Sequence, residues 1–250
     1  ISDNGFSGLT IKMKLNEIKI GEGIIEAEAG VPLAKLVKDS ILNSLTGLEW
    51  AAGIPGSLGG AIRGNAGAYE NETKDIIETV KVLNSETLEI GEYKVEECEF
   101  GYRKSRFKKQ GNLIILSAKL KLKIGNKEES LKKMQDILAK RTSVQPQGAS
   151  AGSFFMNPIV QNDKIIKEYE DEKSVKVNDG KIPAGWLIDH ADFKGRKVGG
   201  AMVSNIHTNY ILNTGTATAE DVIILTSIIK QKIRVRFGVQ LKEEVQFIGF

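Results

Sequence analysis

Between Gly53 and Tyr69 the chain carries Gly53, Gly56, Gly59, Gly60, Gly64 and Gly67 among small and apolar residues, too dense in glycine for an ordinary helix. Backbone N–H groups that no side chain screens suit a phosphate or a flat cofactor. A tight turn leading into a closely packed small-residue helix would use the same composition, and composition alone leaves the two readings evenly balanced. The run is neither a phosphate loop nor a G-x-G-x-x-G fingerprint. Tyr102-Arg103-Lys104-Ser105-Arg106-Phe107 offers two guanidinium groups able to hold a carboxylate or phosphate through paired bonds, or else forms a solvated basic loop. Gly152-Ser153-Phe154-Phe155-Met156-Asn157-Pro158 sets one hydroxyl before two aromatics, which by themselves read as core. No base lies near in sequence to make Ser153 a hydrolase nucleophile. Glu244 stands in an otherwise apolar stretch, where a carboxylate is costly unless it faces water or a site. His190 and His207 have no ligand spacing and read as structural hydrogen-bonding groups.

These residues sit in a chain of 250 residues, 41% hydrophobic and 27% charged, a composition that excludes disorder and coiled coil for the whole. Thirty-five Lys and Arg against 32 Asp and Glu, interspersed, give a net charge of +3 and no basic block of the kind that binds nucleic acid. Cys98 is the one cysteine, so no intramolecular disulfide can form, and with two histidines there are too few soft ligands for zinc. No apolar stretch approaches the roughly 20 residues of a membrane span, and no signal pattern opens the chain. A reduced cytoplasmic protein without structural metal is expected. The first residue is Ile1, and Ser2-Asp3-Asn4-Gly5 reads as a turn, as though an earlier segment were absent.

Alternation predicts short strands between Leu9 and Ala29, with Gly21 and Gly23 as turns, and further strands over 79–83, 87–90 and 113–124. Pro32 opens a helix over 32–43 whose inner face is Leu33, Leu36, Val37 and Ile41. Residues 127–142 read as a charged surface helix with Leu131, Met134, Ile137 and Leu138 inward. The aperiodic stretch 143–152 predicts a domain boundary. Beyond it a helix over 184–191, strands over 197–204 and 209–213, a capping box at Thr218–Asp221 with Val222, Leu225, Ile229 and Ile233 inward, and a strand over 244–250 complete an α+β pattern.

Taken in order, the motifs resemble the bacterial UDP-N-acetylenolpyruvoylglucosamine reductase family. They are G-I-P-G-x-x-G-G-A-x-x-x-N-A-G-A-Y at Gly53–Tyr69, Y-R-x-S-x-F at Tyr102–Phe107, G-S-F-F-x-N-P at Gly152–Pro158, A-G-W-L-I at Ala184–Ile188 and G-G-A-x-V-S at Gly199–Ser204. The resemblance implies an α+β fold: an FAD-binding domain of the vanillyl-alcohol-oxidase-like type over 1–142, a smaller UDP-sugar domain over 143–238, and a C-terminal strand over 239–250 returning to the active-site region. It implies FAD and NADPH as cofactors and UDP-N-acetylglucosamine enolpyruvate as substrate, reduced to UDP-N-acetylmuramate for peptidoglycan by a monomer. Carried over residue by residue, it makes Ser153 the general acid, Arg103 the stabiliser of developing negative charge and Glu244 its assistant. Gly53, Ile54, Pro55, Gly56, Ser57, Gly59, Gly60, Asn65, Ala66 and Gly67 would bind cofactor, and Tyr102, Asn157 and Arg141 substrate. Met156 stands where the family usually has lysine, Glu243 where it has proline and Gln246 where arginine is common. The family's N-terminal subdomain, ending in a loop that wraps the FAD pyrophosphate, is expected to be missing here. That leaves a flavin-free UDP-sugar-binding fragment as the alternative, with a different flavin oxidase of the same fold as a third reading.

Overall fold

The computed structural model describes residues 1–250. In chain order its elements are β1 Ile18–Ile20, β2 Ile24–Glu28, α1 Leu33–Leu42, β3 Leu45–Thr46, α2 Leu58–Gly64, β4 Gly67–Ala68, β5 Asn71–Glu72, β6 Ile77–Asn84, β7 Ile90–Lys94, α3 Arg106–Lys109, β8 Leu113–Lys121, β9 Lys123–Ile124 and α4 Lys127–Val144. There follow β10 Ala149–Ser153, α5 Asp163–Lys173, α6 Ala184–His190, β11 Lys197–Val198, β12 Ala201–Val203, β13 Tyr210–Asn213 and α7 Ala219–Phe237. Contacts divide the chain into two units, one of residues 10–143 and one of residues 1–9 with 144–250.

The 10–143 unit is built on an antiparallel sheet of order β1-β2-β8-β6-β7. Alternation turns Ile25 and Ala27 of β2, Val80 and Val82 of β6, and Ala118 and Leu120 of β8 into one core. Helix α1 completes that core with Leu33, Leu36, Val37 and Ile41, the helical spacing that the sequence predicted. Helix α4 adds Leu131, Met134 and Ile137, while Leu138 stays exposed. The expected strand over 87–90 lies later, at Ile90–Lys94, because the backbone of residues 84–89 closes the hairpin through Leu88 N–H to Asn84 O. Residues 9–17 form no strand. Leu9 and Ile11 alternate correctly but have no neighbouring strand to pair with and remain exposed.

The second unit carries an antiparallel sheet of order β10-β13-β12-β11 and a separate core in which Phe155, Leu187, Ile188, Val203, Leu225, Ile229 and Ile233 are fully or almost fully buried. The capping box is present: the Thr218 hydroxyl accepts from Asp221 N–H, and the Asp221 carboxylate accepts from Thr218 N–H. Residues 1–9 group here because Ser2 N–H donates to Ile248 O and Asp3 accepts from Ala219 N–H. The strand expected over 244–250 does not form. The antiparallel bridge of Phe155 with Glu243 lies just before that segment, and within it only single backbone bonds form, Glu244 and Val245 N–H to Phe154 O and Ser2 N–H to Ile248 O, without a ladder.

Candidate functional site

The glycine-rich run forms the tight turn and small-residue helix that composition allowed, and leaves part of the turn's backbone open. Gly53–Ser57 is a turn, and Leu58–Gly64 is a short helix, α2, formed despite its glycines because Ser57 caps it and Gly59 presses against Ala29, just past the end of β2. A Cβ on Gly59 would come within 2.9 Å of Ala29 Cβ, so this glycine serves close packing. The amides of Leu58 and Gly59 are spent on Val31 O and Ala29 O, and that of Gly60 on the Ser57 hydroxyl. Gly56 differs: its φ is +131°, which favours glycine, and no atom lies within 4 Å of where a Cβ would be. The turn amides at Gly53, Gly56 and Ser57 are not committed to other backbone carbonyls. With Gly53, Pro55 and Gly56 exposed and Ile54 seated against the core, this backbone can be approached by a flat or anionic group, so the residues fit FAD.

Asn65 ends α2 in the left-handed region at φ +43° and is fully buried. Its amide donates to Glu72 Oε2 and Gly101 O, each at 3.0 Å, and its carbonyl accepts from Lys74 N–H at 3.0 Å. Both amide hydrogens are therefore used inside the protein. Ala66 O is likewise taken by the backbone and hydroxyl of Thr73. Arg103 stands at φ +54° and donates from Nη2 to Gly67 O at 3.3 Å, with its guanidinium 5.2 Å from the Tyr102 ring centre. The buried Ser105 hydroxyl donates to Arg63 O at 2.6 Å and caps α3. The Gly101–Ser105 turn is thus keyed to the end of α2 by Asn65, Arg103 and Ser105. Glu72 closes the network: burial pushes its pKa up, but the Lys74 and Asn65 hydrogen bonds and the Lys74 and Arg103 charges outweigh that and hold it below the usual carboxylate value. Arg141 lies in this same unit, its Nη2 donating to Trp50 O at 3.2 Å and its stem covering Gly53.

The second unit brings Ser153 and Glu244 onto neighbouring backbones. Ser153 ends β10 opposite Tyr210 after a register shift, with Gly152 at φ +79°. Phe154 O, one residue on, accepts from Glu244 N–H at 2.8 Å. Asn209, buried and not singled out by the sequence reading, clamps the other side: its carbonyl oxygen accepts from Phe155 N–H at 3.0 Å and its amide donates to Phe155 O at 2.8 Å. Only a three-dimensional contact marks it, since its partner Phe155 lies 54 residues earlier in the chain. Asn157, half-buried, accepts from Ala184 N–H at 3.0 Å and so steadies the start of α6. His207 accepts from Asn209 N–H at 3.2 Å, and burial lowers its pKa, which keeps the imidazole neutral. Gly199 and Gly200 are scaffolding: the Gly200 backbone lies against Thr216 and Ala217, and its N–H donates to Asp221.

A profile described as an FAD binding domain matches residues 1–88, and one described as the UDP-N-acetylenolpyruvoylglucosamine reductase C-terminal domain matches residues 145–248. An α+β FAD-binding protein is therefore the class that fold and site define. Over its whole length the chain is 41% identical to the UDP-N-acetylenolpyruvoylglucosamine reductase of Carboxydothermus hydrogenoformans, covering 76% of that protein, and 38% identical to that of Alkaliphilus oremlandii, covering 75%. The crystal structure of the corresponding enzyme from Thermus caldophilus superposes on 89% of this chain and 72% of its own, with a TM-score of 0.71 at 34% identity. The chain belongs to the UDP-N-acetylenolpyruvoylglucosamine reductase family, and it spans about three quarters of the length of these relatives.

Proposed function

We propose that the protein reduces the enolpyruvyl group of UDP-N-acetylglucosamine enolpyruvate to UDP-N-acetylmuramate at the expense of NADPH, as a monomer in the cytoplasm. The reading is carried by the match to the family's C-terminal domain over 145–248, within which Ser153 and Glu244 lie on hydrogen-bonded neighbouring segments. FAD, when bound, supplies hydride transfer between NADPH and substrate. The turn at Gly53–Ser57 would hold it through backbone amides, and the stem of Arg141 supports that turn.

Hydride addition to the terminal alkene carbon leaves negative charge on the neighbouring carbon and its carboxylate. Arg103 would stabilise that charge from a turn fixed in advance, which avoids reorganisation during the reaction. The Ser153 hydroxyl would deliver the proton to the carbanionic carbon, a centre basic enough for a neutral alcohol to serve as acid. Glu244 would assist from the adjoining segment, while Tyr102 and Asn157 would contact substrate. The visible spectrum of the purified chain with FAD tests this. A bound-flavin spectrum that bleaches with NADPH and recovers on adding the enolpyruvyl sugar nucleotide is expected. No flavin binding, with stabilisation by UDP-sugar alone, would favour a catalytically inactive binding fragment.

A further inference from the structure

The segment carrying Glu244 is attached by backbone bonds to Phe154 and Met156, by Val245 against the core and the Phe247 ring beside Phe154, and by a side-chain ion pair that the site so far leaves unused. Val239 and Leu241 are buried and anchor its beginning, whereas Phe247, Ile248 and Phe250 at its far end are exposed. Between them the antiparallel bridge of Phe155 with Glu243 supplies two hydrogen bonds, Met156 N–H to Lys242 O at 2.9 Å and Glu244 N–H to Phe154 O at 2.8 Å. Glu243 lies between these bonds, and its Oε1 meets Lys230 Nζ at 2.6 Å. Lys230 projects from α7 one residue after Ile229 and three before Ile233, both fully buried, so its stem starts from a fixed helix.

We propose that the Lys230–Glu243 ion pair is a positioning device that holds Glu244 in register beside Ser153. The proposal rests on the reading of Glu244 as an active-site residue. Neither bond of the bridge uses the Glu243 N–H, so at this residue the tether to α7 adds a restraint from the side chain that the bridge's main-chain bonds do not supply. The side chains of the pair are 30% and 26% exposed, so solvent screening keeps the effect modest, on the order of a three- to tenfold change in rate.

The test uses the FAD-loaded protein and the variants Glu243→Gln, Lys230→Met and the charge swap Lys230→Glu with Glu243→Lys, with Glu244→Gln run alongside. Each single variant of the pair is expected to lower kcat for the enolpyruvyl substrate by about three- to tenfold, with KM nearly unchanged and with flavin bleaching by NADPH at the wild-type rate. The swap should recover most of the loss. Hydrogen exchange at the Glu244 amide, which needs no turnover, should quicken in both single variants. Unchanged exchange and kcat in the single variants, beside a slow Glu244→Gln, would overturn the proposal. Normal turnover by Glu244→Gln would instead remove the reading on which it rests.

Discussion

Ser153 and Arg103 would act in the same half of the catalytic cycle, the one that consumes the enolpyruvyl substrate. Ser153→Ala removes a proton donor and should slow substrate reduction by about 10²-fold or more while leaving NADPH oxidation by the flavin intact, as separate stopped-flow half-reactions would record. Arg103→Ala should slow the same half-reaction by about 10²–10³-fold; an effect confined to flavin reduction would contradict the assignment. Asn65 invites a different expectation. Its amide bridges Glu72 and Gly101 in the interior, so it orders the arginine-bearing turn more directly than it could touch a cofactor. Asn65→Gly keeps the left-handed backbone yet deletes the bridge, and should cost about 2 kcal/mol of stability in urea titration. The sequence showed Asn65 as a member of a glycine-rich motif. Its inward role was not legible, because its partners lie seven and thirty-six residues further along the chain.

Among the elements, helices α1, α4 and α7 were the most legible, because each presents apolar residues at a period of about 3.6 to a core, and the capping box marked where α7 begins, whereas α5 Asp163–Lys173 was not read. Helix α2 was hidden by its glycines, whose purpose is close approach to Ala29 and an open turn, neither visible in periodicity. Alternation misled over 9–17 and 244–250, where the pattern is right but isolated backbone bonds, such as Glu28 N–H to Glu17 O and Gly30 N–H to Leu15 O, do not extend into a ladder. The turn between β12 and β13 carries a pH dependence. His207 has a lowered pKa in the folded protein, so between that value and about 6.5 the unfolded chain binds more protons. Stability should therefore fall as pH drops through about 6.5 toward the folded value. Thermal unfolding of wild type and His207→Gln should show a gap that narrows from pH 7 to pH 5, and a gap that is constant with pH would refute this.

At the scale of the molecule, the two cores predict that unfolding is not a single two-state transition. Removing residues 1–9 takes away the Asp3 acceptor of the α7 N-terminus and the Ser2 bond to Ile248. Calorimetry should then show the transition of the 144–250 unit lowered and that of the 10–143 unit unmoved. The contacts divide near 143, where the sequence loses its periodicity, but the grouping of the first nine residues with the C-terminal half has no sequence signal, since two long-range hydrogen bonds and local packing express it.

Cys98 lies in the 10–143 unit, wholly buried, with its thiol against Lys94 O at 3.2 Å and its pKa pushed up to about 12, chiefly by burial. A group so shielded and so rarely ionised at neutral pH is almost inert to alkylating and disulfide reagents until the surrounding structure opens. The native chain therefore contains its own clock. The rate at which a thiol reagent labels it counts the openings of one unit alone, and a second cysteine introduced on any exposed surface would take a fluorophore with no need to remove the first.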